Sequence, residues 1–287
     1  REFKPHLVNA HFLPTYGLAA VLARVHPFVL TLWGSDILVS GRKGILSRLR
    51  SRYVLEKADL VVGDAEYLVA EAARLTPLRR QLVVSFGVSE SWYESGRARE
   101  LKSTEVVRII STRQLEKIYD HTTLIRAARL LADEGFAFRL TLIGSGSRET
   151  ELKTLAAQLK LTDNINFTGR FSEEELLTAY RRADIYVSTA KSDATSVSLL
   201  EAMSQKLYPV VTDIPGNREW LDSDRHFFEP GNARQLADKI KLGHRRDARV
   251  AAYDLYEPRL RQRGIREEQM KVAHLAFTRL IEDYHAA

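Results

Sequence analysis

The strongest constraint on the fold is an alternation of ten short apolar runs with longer segments of helical periodicity. The runs are rich in β-branched and aromatic residues, and Gly, Asp or Pro bounds most of them. They span residues 6–10, 27–33, 60–65, 81–86, 106–112, 138–144, 165–169, 184–190, 208–213 and 226–229. Near-continuous apolar strands are typical of parallel sheets that are covered on both faces. The alternation therefore predicts an α/β fold of doubly wound parallel sheets with right-handed crossovers.

The segments between the runs carry helix start signals. Ser172 and Glu175 have the spacing of a capping box, and so do Asn232 and Gln235. Leu152 begins an apolar helix face that continues at positions 155, 156 and 159. Residues 266–287 show a similar periodicity and predict one C-terminal helix.

The chain is long enough for two domains. Its 287 residues exceed the ~100–200 residues of a typical domain. The alternation lapses at residues 87–102, a polar stretch that we interpret as an interdomain linker. We therefore expect two Rossmann-like domains, 1–95 and 96–262, with a helix in 263–287 that packs back toward the first domain. Open sheets of this kind bind ligands at the carboxyl ends of their strands.

The amino-acid composition excludes several kinds of chemical site and favours one class of partner. The chain has no cysteine, which excludes a disulfide framework, a thiolate metal site and a cysteine nucleophile. Its net charge of +6 favours polyanionic partners such as nucleotide diphosphates. No apolar run approaches the ~20 residues of a membrane span, and no nucleic-acid-binding signature is present. We expect a cytoplasmic protein that uses no nucleic-acid partner.

The densest candidate site lies in residues 188–220, where a strand is followed by a small polar loop and an apolar helix. The first turn of a helix presents unpaired N–H groups and partial positive charge, so Thr195, Ser196 and Val197 are placed to cradle a phosphate. Glu201 is placed to accept hydrogen bonds from two adjacent hydroxyls, as on a ribose. The alternative is a capped helix with a surface glutamate.

Two further turns follow predicted strands. Gly144 and Gly146 permit close backbone approach to a ligand, or serve only a tight turn. Arg113 and Lys117 supply cations for a diphosphate, or are solvated surface charges. Neither the dinucleotide-binding fingerprint nor the Walker phosphate loop is present.

Together these three turns, in this order and spacing, resemble the GT-B retaining glycosyltransferases of the large family four, the glycosyl transferases group 1. The resemblance covers essentially the whole chain and is strongest in residues 106–220. The family's Glu-x7-Glu motif maps to Asp193 and Glu201. It implies that Glu201 holds the ribose hydroxyls and that Asp193 faces the donor sugar, one methylene shorter than the usual glutamate.

The resemblance also assigns roles along the second domain. It implies that Arg113 and Lys117 bind the donor diphosphate, although Lys117 stands four residues after the arginine where the family has five. Asp193, Arg113 and Lys117 are the implied catalytic residues. The implied donor-nucleotide residues are Gly144, Ser145, Gly146, Arg170, Phe171, Thr195, Ser196, Val197 and Glu201.

The first domain resembles the family's acceptor side more loosely. The implied acceptor-side residues are His11, Trp33, Gly34 and Asp36. Trp33 stands where many members carry a histidine that bonds the donor sugar, so that contact is lost or replaced by stacking. The family's early glycine-rich loop has no counterpart, and we expect the N-terminal domain to be incomplete by about two βα units.

The implied activity is transfer of a sugar from a nucleotide-diphosphate sugar, UDP- or GDP-linked, to a glycan or lipid-linked acceptor with retention of configuration. It implies no metal and no resident cofactor. Two alternatives stay open at this point. One is a sugar-nucleotide epimerase of the same fold, and the other is a catalytically silent module that binds nucleotide sugars.

A basic segment lies outside these motifs. The stretch Arg42–Arg52 contains five cations and no acid, with Ile45, Leu46 and Leu49 between them. A basic amphipathic helix of this kind lies on anionic membranes, or is a solvated basic face. We expect peripheral association with the inner face of a membrane as one of these two outcomes.

Overall fold

The computed structural model describes residues 5–38 and 44–286, which form two units. The first unit contains the described residues up to Gly87, the short segment Asp193–Thr195 and the C-terminal residues from Arg266. The second unit contains Val88–Ser192 and Ser196–Ile265. All ten predicted strands are confirmed, within a few residues at each end.

The first unit is built on a four-stranded parallel sheet. Its strands are β1 (Val8–His11), β2 (Phe28–Thr31), β3 (Leu60–Gly63) and β4 (Gln81–Val83), in the order β1-β2-β3-β4. Between them lie a π-helical segment (Phe12–Gly17), α1 (Leu18–Leu22), α2 (Ser35–Leu38), α3 (Ile45–Lys57) and α4 (Glu66–Ala73). β2 and β3 are buried along their whole length, which explains their uninterrupted apolar sequences.

The second unit contains a six-stranded parallel sheet. Its strands are β5 (Val107–Ser111), β6 (Phe138–Ile143), β7 (Ile165–Gly169), β8 (Ile185–Ser188), β9 (Tyr208–Thr212) and β10 (Phe227–Phe228). The helices are α5 (Glu90–Arg97), α6 (His121–Asp133), α7 (Glu149–Gln158), α8 (Glu173–Arg182), α9 (Val197–Ser204), α10 (Pro215–Arg218), α11 (Ala233–Gly243) and α12 (Arg246–Arg263). Two 3₁₀ turns lie at Lys117–Tyr119 and Asp224–His226.

The strand order of this second sheet is β10-β9-β8-β5-β6-β7. Counted from β5, this is the Rossmann order, in which the chain winds outward first on one side and then on the other. The order reverses between β5 and β8, which are direct neighbours. The loops that leave these two strands therefore diverge to opposite faces and open a crevice at their carboxyl ends. The fold class predicted from the sequence, α/β with two Rossmann-like parallel sheets, is confirmed.

Two of the predicted helix starts differ in detail. At α8 the full capping box is present, because Ser172 and Glu175 bond each other's backbone N–H. At α11 only half of it forms. The Asn232 side chain accepts from the Gln235 N–H, but the Gln235 side chain turns back and accepts from the N–H of Glu229.

The expected linker at residues 87–102 contains a helix. Ser89 caps α5 by accepting from the N–H of Trp92, and Trp92 and Tyr93 are buried in the second unit. Gly96 approaches the backbone of Ser204 so closely that a Cβ would lie 1.7 Å from its carbonyl oxygen. The units consequently divide between Gly87 and Val88, upstream of the expected boundary at 95/96.

The C-terminal helix α13 (Arg266–Ala286) belongs to the first unit. Ala273 and Leu280 pack with Val29 and Leu60 of its sheet, and Arg80 pairs with Asp283 at 2.6 Å. These contacts place the helix on the first sheet although it lies far away in sequence.

Candidate functional site

The crevice between β5 and β8 is lined by the loops that follow these strands. Thr112 and Arg113 follow β5, and Thr189 follows β8. The Thr189 hydroxyl donates to the carbonyl of Tyr119 at 2.6 Å, and the N–H of Lys191 donates to the carbonyl of Ile118 at 2.9 Å. These bonds fasten the two loops together and fix the geometry of the crevice.

Arg113 lies against the start of α9. Its Nη1 donates to Oγ of Ser196 at 2.9 Å, and its guanidinium stacks 4.4 Å from the centroid of the Tyr119 ring. Ser196 is the N-cap of α9, and its Oγ also accepts from the N–H of Leu199. The guanidinium and the partial positive charge at the start of α9 therefore lie side by side. An arrangement of this kind favours a negatively charged group at the first turn of the helix.

Glu201 lies one turn further along α9 and is held by a buried tyrosine. The Tyr180 hydroxyl donates to Oε2 of Glu201 at 2.9 Å and lies 3.1 Å from the carbonyl of Ser198. Oγ1 of Thr112 lies 2.6 Å from the same phenolic oxygen, and donation by Thr112 leaves the phenolic proton for the carboxylate. Burial, followed by the charge of Glu201, raises the pKa of Tyr180 far above its ordinary value. The phenol therefore stays protonated and orients the carboxylate.

The glycine turn of residues 144–146 is packed against the neighbouring loop. A Cβ on Gly144 would lie 2.6 Å from the Arg113 carbonyl oxygen, and one on Gly146 would lie 2.5 Å from that of Leu115. The Leu115 N–H donates to the carbonyl of Ser145 at 3.1 Å. The close approach predicted for these glycines is thus to the Arg113–Leu115 backbone, which they allow to sit at the edge of the crevice.

The remaining residues on this side flank the turn. Arg170 donates from Nε to Oγ of Ser145 at 3.0 Å and is itself exposed. Phe171 is half-buried and packs on the hydrophobic core. Glu116 accepts from the side chain and the N–H of Ser147, and these bonds lower the pKa of its carboxyl.

Lys117 is exposed in the 3₁₀ turn, and it is Tyr119 that packs on Arg113. Asp120 follows with φ of +44°, a left-handed conformation that is unusual for a residue other than glycine. Its carboxylate pairs with Lys191 at 3.1 Å. Besides Arg113, the cation that the structure places beside this loop is therefore Lys191, a residue outside the motifs found in the sequence.

His121 at the start of α6 is a second residue that the sequence did not reveal. It is buried, and neither ring nitrogen has a hydrogen-bond partner within the described residues. Burial, followed by the charge of Arg113, lowers its pKa to about 4, against a smaller opposing effect of Asp120. The ring is consequently neutral near pH 7, close to the charge of Arg113.

In the first unit, the predicted acceptor-side residues gather at the carboxyl ends of β1 and β2. Nε1 of Trp33 donates to Nδ1 of His11 at 3.0 Å. Asp36 is buried and accepts at 3.1 Å from the N–H groups of Leu13, Trp33 and Ile37. Desolvation raises the pKa of the Asp36 carboxyl, and the backbone bonds oppose that rise. Asp36 thus holds the loop after β1 against the loop that carries Trp33. Its side chain is not accessible to a ligand, because it is buried.

The segment Asp193–Thr195 also belongs to the first unit. Tyr67 donates to the carbonyl of Asp193 at 2.7 Å, and the Thr195 hydroxyl donates to the carbonyl of Asp64. Gly34 has φ of +73°, and a Cβ there would lie 3.2 Å from the Cβ of Ala194. The structure therefore places Asp193 and Thr195 with the first unit, and Ser196, Val197 and Glu201 with the second.

Residues 5–38 and 44–286 contain neither a metal-binding cluster nor a membrane-spanning helix. No cluster of three or more His, Asp or Glu side chains is arranged to hold a metal ion there. No helix within these ranges is both long and apolar enough to cross a membrane.

Two family profiles match the chain. The profile described as "Glycosyl transferases group 1" matches residues 94–245, more than half of the chain. A second one, "Glycosyl transferase 4-like", matches residues 1–64.

Curated relatives include two bacterial proteins of polysaccharide biosynthesis. The putative colanic acid biosynthesis glycosyltransferase WcaL of Escherichia coli is 27% identical over 83% of this chain and 61% of its own length. The putative teichuronic acid biosynthesis glycosyltransferase TuaC of Bacillus subtilis is 24% identical over 84% of this chain and 61% of its own. The chain thus spans about three fifths of the length of these relatives.

Solved structures share the fold. Sucrose-phosphate synthase from Thermosynechococcus elongatus aligns with a TM-score of 0.81 at 15% identity, over 98% of this chain and 74% of its own. Anabaena Alr3699/HepE in complex with UDP aligns with a TM-score of 0.74 at 16% identity, over 91% and 75%. With two parallel Rossmann-like sheets and a group 1 profile across most of the second unit, this chain belongs to the glycosyl transferases group 1 family.

Proposed function

We propose that this protein is a glycosyltransferase that moves a sugar from a nucleotide-diphosphate sugar to a glycan or lipid-linked acceptor. The observation that carries the proposal is the position of Arg113 on the N-cap residue of α9, with Glu201 held by Tyr180 on the same helix. One helix then presents a site for a diphosphate at its first turn and a carboxylate one turn later. A nucleoside diphosphate carries both matching groups, a diphosphate and a ribose diol.

Uridine diphosphate is the donor nucleotide that we propose, because structural neighbours such as Anabaena Alr3699/HepE and the pneumococcal O-GlcNAc transferase GtfA form complexes with UDP. The 2′ and 3′ hydroxyls would donate to Glu201. The diphosphate would lie between Arg113 and the first N–H groups of α9. The uracil would lie toward the turn at Gly144–Gly146 and Arg170.

The chemistry requires stabilisation of the leaving diphosphate. When the bond between the anomeric carbon and the phosphate oxygen breaks, negative charge grows on that oxygen, where Arg113 and the helix start are already fixed in place. We propose retention of configuration. The acceptor hydroxyl attacks from the face that the diphosphate leaves, the new bond forms to the anomeric carbon, and the departing phosphate oxygen takes the acceptor proton. No protein nucleophile takes part.

Metal independence belongs to the same proposal, since Arg113 and the helix dipole can supply the positive charge that a divalent cation supplies elsewhere. Transfer should therefore persist in excess EDTA. Complete loss of transfer that magnesium or manganese restores would contradict this part of the proposal.

The test is a thermal-shift panel of UDP- and GDP-sugars on the full chain, followed by transfer assays with the sugars that stabilise it. Stabilisation by a nucleotide sugar, with acceptor-dependent release of the nucleoside diphosphate, supports a transferase. Conversion of the donor without an acceptor into a different nucleotide sugar indicates an epimerase. Binding without release indicates a silent binding module.

Peripheral membrane association is a second part of the proposal, and α3 supports it. One face of this helix, with Val54 and Leu55, is buried in the first unit. The opposite face carries Ile45 and Leu46, which are 78% and 83% exposed, together with Leu49. Arg48, Arg50 and Arg52 lie on the same helix, whereas Arg42 and Lys43 lie outside the described residues. Exposed apolar side chains flanked by cations match an anionic bilayer surface, where each cation contributes ~1 kcal/mol.

Vesicle co-sedimentation tests this surface. Binding should rise with the content of anionic lipid and fall with added salt. Replacing Arg48, Arg50 and Arg52 by Gln should weaken it. The matched control replaces three exposed arginines of the second unit, Arg126, Arg181 and Arg261, and should bind as the parent does. Equal binding of both variants would show that α3 is only a solvated basic face.

A further inference from the structure

Three arginines surround a cavity near the amino end of the second sheet. Arg108 on β5 lies in register with Arg139 on β6, and Arg182 ends α8. All three line one cavity of about 470 Å³, which we call the arginine cavity. Thr112, at the crevice, lies about 13 Å further along β5 than Arg108, at ~3.3 Å per residue. The arginine cavity is therefore a different place from the crevice that contains Arg113.

Part of the lining of this cavity is apolar. Ile110 lies on the same face of β5 as Arg108, because alternate residues of a strand point the same way. Ala179 and Ala183 line it from the end of α8. Val106 also lines it and keeps 43% of its surface in solvent. The volume falls within the ~300–1,000 Å³ of small-molecule sites, and an apolar lining with a few polar groups is typical of them.

The three guanidinium groups make no ion pair with a carboxylate anywhere in residues 5–38 and 44–286. Nη1 of Arg108 donates to the carbonyl of Arg182 at 3.2 Å, and Nη1 of Arg139 donates to the carbonyl of Asp163. A guanidinium has five N–H donors, so most of the donors around the cavity remain available to a ligand.

The carboxylate that contacts the backbone of Arg108 is occupied elsewhere. It belongs to Asp184, whose Oδ1 pairs with Arg249, and both of these side chains are buried. Its Oδ2 accepts from the N–H of Arg108 at 3.0 Å and from the hydroxyl of Thr104 at 3.1 Å. Asp184 therefore fixes the backbone at the cavity without pairing with the guanidinium of Arg108.

The charges around the cavity are all of one sign. Like charges directly opposite each other on neighbouring strands are unfavourable, and Arg108 and Arg139 have this arrangement. Arg182 adds a third cation from α8. Three cations around one partly apolar cavity favour a ligand that carries both negative charge and an apolar group.

We propose that the arginine cavity binds a phosphate monoester whose organic part is apolar. The three terminal oxygens of a phosphate monoester can each accept from a different guanidinium, whereas a carboxylate has only two oxygens. The charge of the monoester is close to −2 near pH 7. Its organic part would contact Ile110 and Ala179. This inference goes beyond the proposed transferase function and does not depend on it, because no lining residue belongs to the Arg113–Glu201 site.

Phenyl phosphate is the probe that tests the cavity. Titration into the full chain, followed by its ³¹P NMR signal, should show saturable binding, and phenol and inorganic phosphate should each bind more weakly. No binding of phenyl phosphate would overturn the inference. Equal binding of phenol would show that the arginines do not recognise an anion. Equal binding of inorganic phosphate would show that the apolar lining contributes nothing, and either result would overturn the proposed ligand class.

Variants place the bound probe. Arg108→Gln/Arg139→Gln should weaken the binding of phenyl phosphate roughly tenfold or more. Arg182→Gln tests the same cavity from α8 and should weaken binding as well. The matched control, Arg126→Gln/Arg261→Gln, makes the same change in charge at two exposed positions of the second unit and should bind as the parent does. Melting temperatures confirm that each variant is folded. Equal affinity in the folded cavity variants and the parent would overturn the inference.

Two further measurements exclude other phosphate sites. Binding of phenyl phosphate should persist in excess UDP and in Arg113→Ala, and its loss in both would place the probe at the crevice and overturn the cavity. Sedimentation with phosphatidic acid vesicles separates a free ligand from a lipid headgroup. Vesicle binding that Arg108→Gln/Arg139→Gln abolishes, without binding of phenyl phosphate, would overturn the small-molecule site. Failure of the parent to bind any nucleotide sugar would contradict only the proposed function.

Discussion

The hydroxyl of Tyr180 lies 2.9 Å from Oε2 of Glu201, and this bond links α8 to α9 through the one fully buried side chain of α8. Thr112, from the end of β5, completes the arrangement at 2.6 Å from the phenolic oxygen. The carboxylate assigned to the ribose is thus oriented from the protein interior, so its position depends on residues that a ligand never touches.

Tyr180→Phe should weaken UDP binding by roughly three- to tenfold, equivalent to ~1 kcal/mol, because Glu201 loses the donor that orients it. Isothermal titration measures the affinity. A double-mutant cycle with Glu201→Ala provides the control. The double variant should bind no more weakly than Glu201→Ala, because the tyrosine acts only through the carboxylate. Additive losses would show that the Tyr180 hydroxyl acts independently of Glu201, through Thr112 or the carbonyl of Ser198.

Arg113→Ala should lower kcat more than it raises the donor KM, since the guanidinium counts most when charge develops on the departing diphosphate. Steady-state kinetics with varied donor measures the split. Lys117→Ala should lower kcat less than Arg113→Ala does, because Lys117 is exposed whereas Arg113 is fixed between Ser196 and Tyr119. A raised KM with unchanged kcat in Arg113→Ala would reduce that residue to a binding role.

Gly146→Ala should destabilise the second unit by about 1–3 kcal/mol, the usual cost of overpacking, because its Cβ would meet the backbone of Leu115. Denaturant unfolding measures the loss. Ser145→Ala is the matched control, since it removes only a hydroxyl that accepts from the exposed Arg170. Equal stability of the two variants would mean that the loop and the turn can separate without cost.

The buried His121 should make the protein less stable in mild acid. Its folded pKa of about 4 lies below the ordinary value of 6.5, so the unfolded chain binds the proton more tightly. The contribution of neutral His121 to the free energy of unfolding is fully present above pH 6.5. Between pH 6.5 and pH 4 this contribution falls by about 1.4 kcal/mol per pH unit. Arg113 and Arg148 reinforce the shift, and Asp120 opposes it.

The pH dependence of the free energy of unfolding, measured with denaturant, checks this expectation. His121→Gln should flatten the slope between pH 6.5 and 4, whereas His274→Gln, at an exposed position of α13, should leave it unchanged. An unaltered slope in folded His121→Gln would show that the ring is protonated in the native state, or that it is hydrated.

The elements of the fold could be predicted because buried parallel strands have near-continuous apolar sequences, as β2, β3, β8 and β9 do here. The helix α5 was missed because six of its eight residues are polar or glycine, and only Trp92 and Tyr93 mark its buried face. A sequence pattern reflects most of the residues in a segment, so a mainly polar segment is interpreted as a loop. In the folded protein, two buried aromatic side chains, Trp92 and Tyr93, are enough to hold this helix in place.

The local structure of the candidate site was predictable where it depends on backbone, as in the strand, loop and helix that lead into α9. It was not predictable where distant side chains converge. Tyr180 appears in the sequence as one apolar position of a capped helix, and nothing local shows that its hydroxyl reaches Glu201. Asp36 was expected to face the acceptor, but its buried carboxylate accepts hydrogen bonds from three backbone N–H groups instead. Lys117 lies next to the site in sequence, whereas Lys191 reaches the same loop from β8.

We propose that the carboxyl edge of the second sheet binds a nucleoside diphosphate through Arg113 and Glu201. Titration calorimetry of UDP into the full chain and its folded Glu201→Ala variant measures this binding, with Glu174→Ala, at an exposed position of α8, as the control. We expect Glu201→Ala to lose roughly ten- to hundredfold in affinity, because hydrogen bonds to a charged group contribute ~1.5–3 kcal/mol, and Glu174→Ala to bind as the parent does. Equal UDP affinity in all three proteins would contradict the assignment of this site.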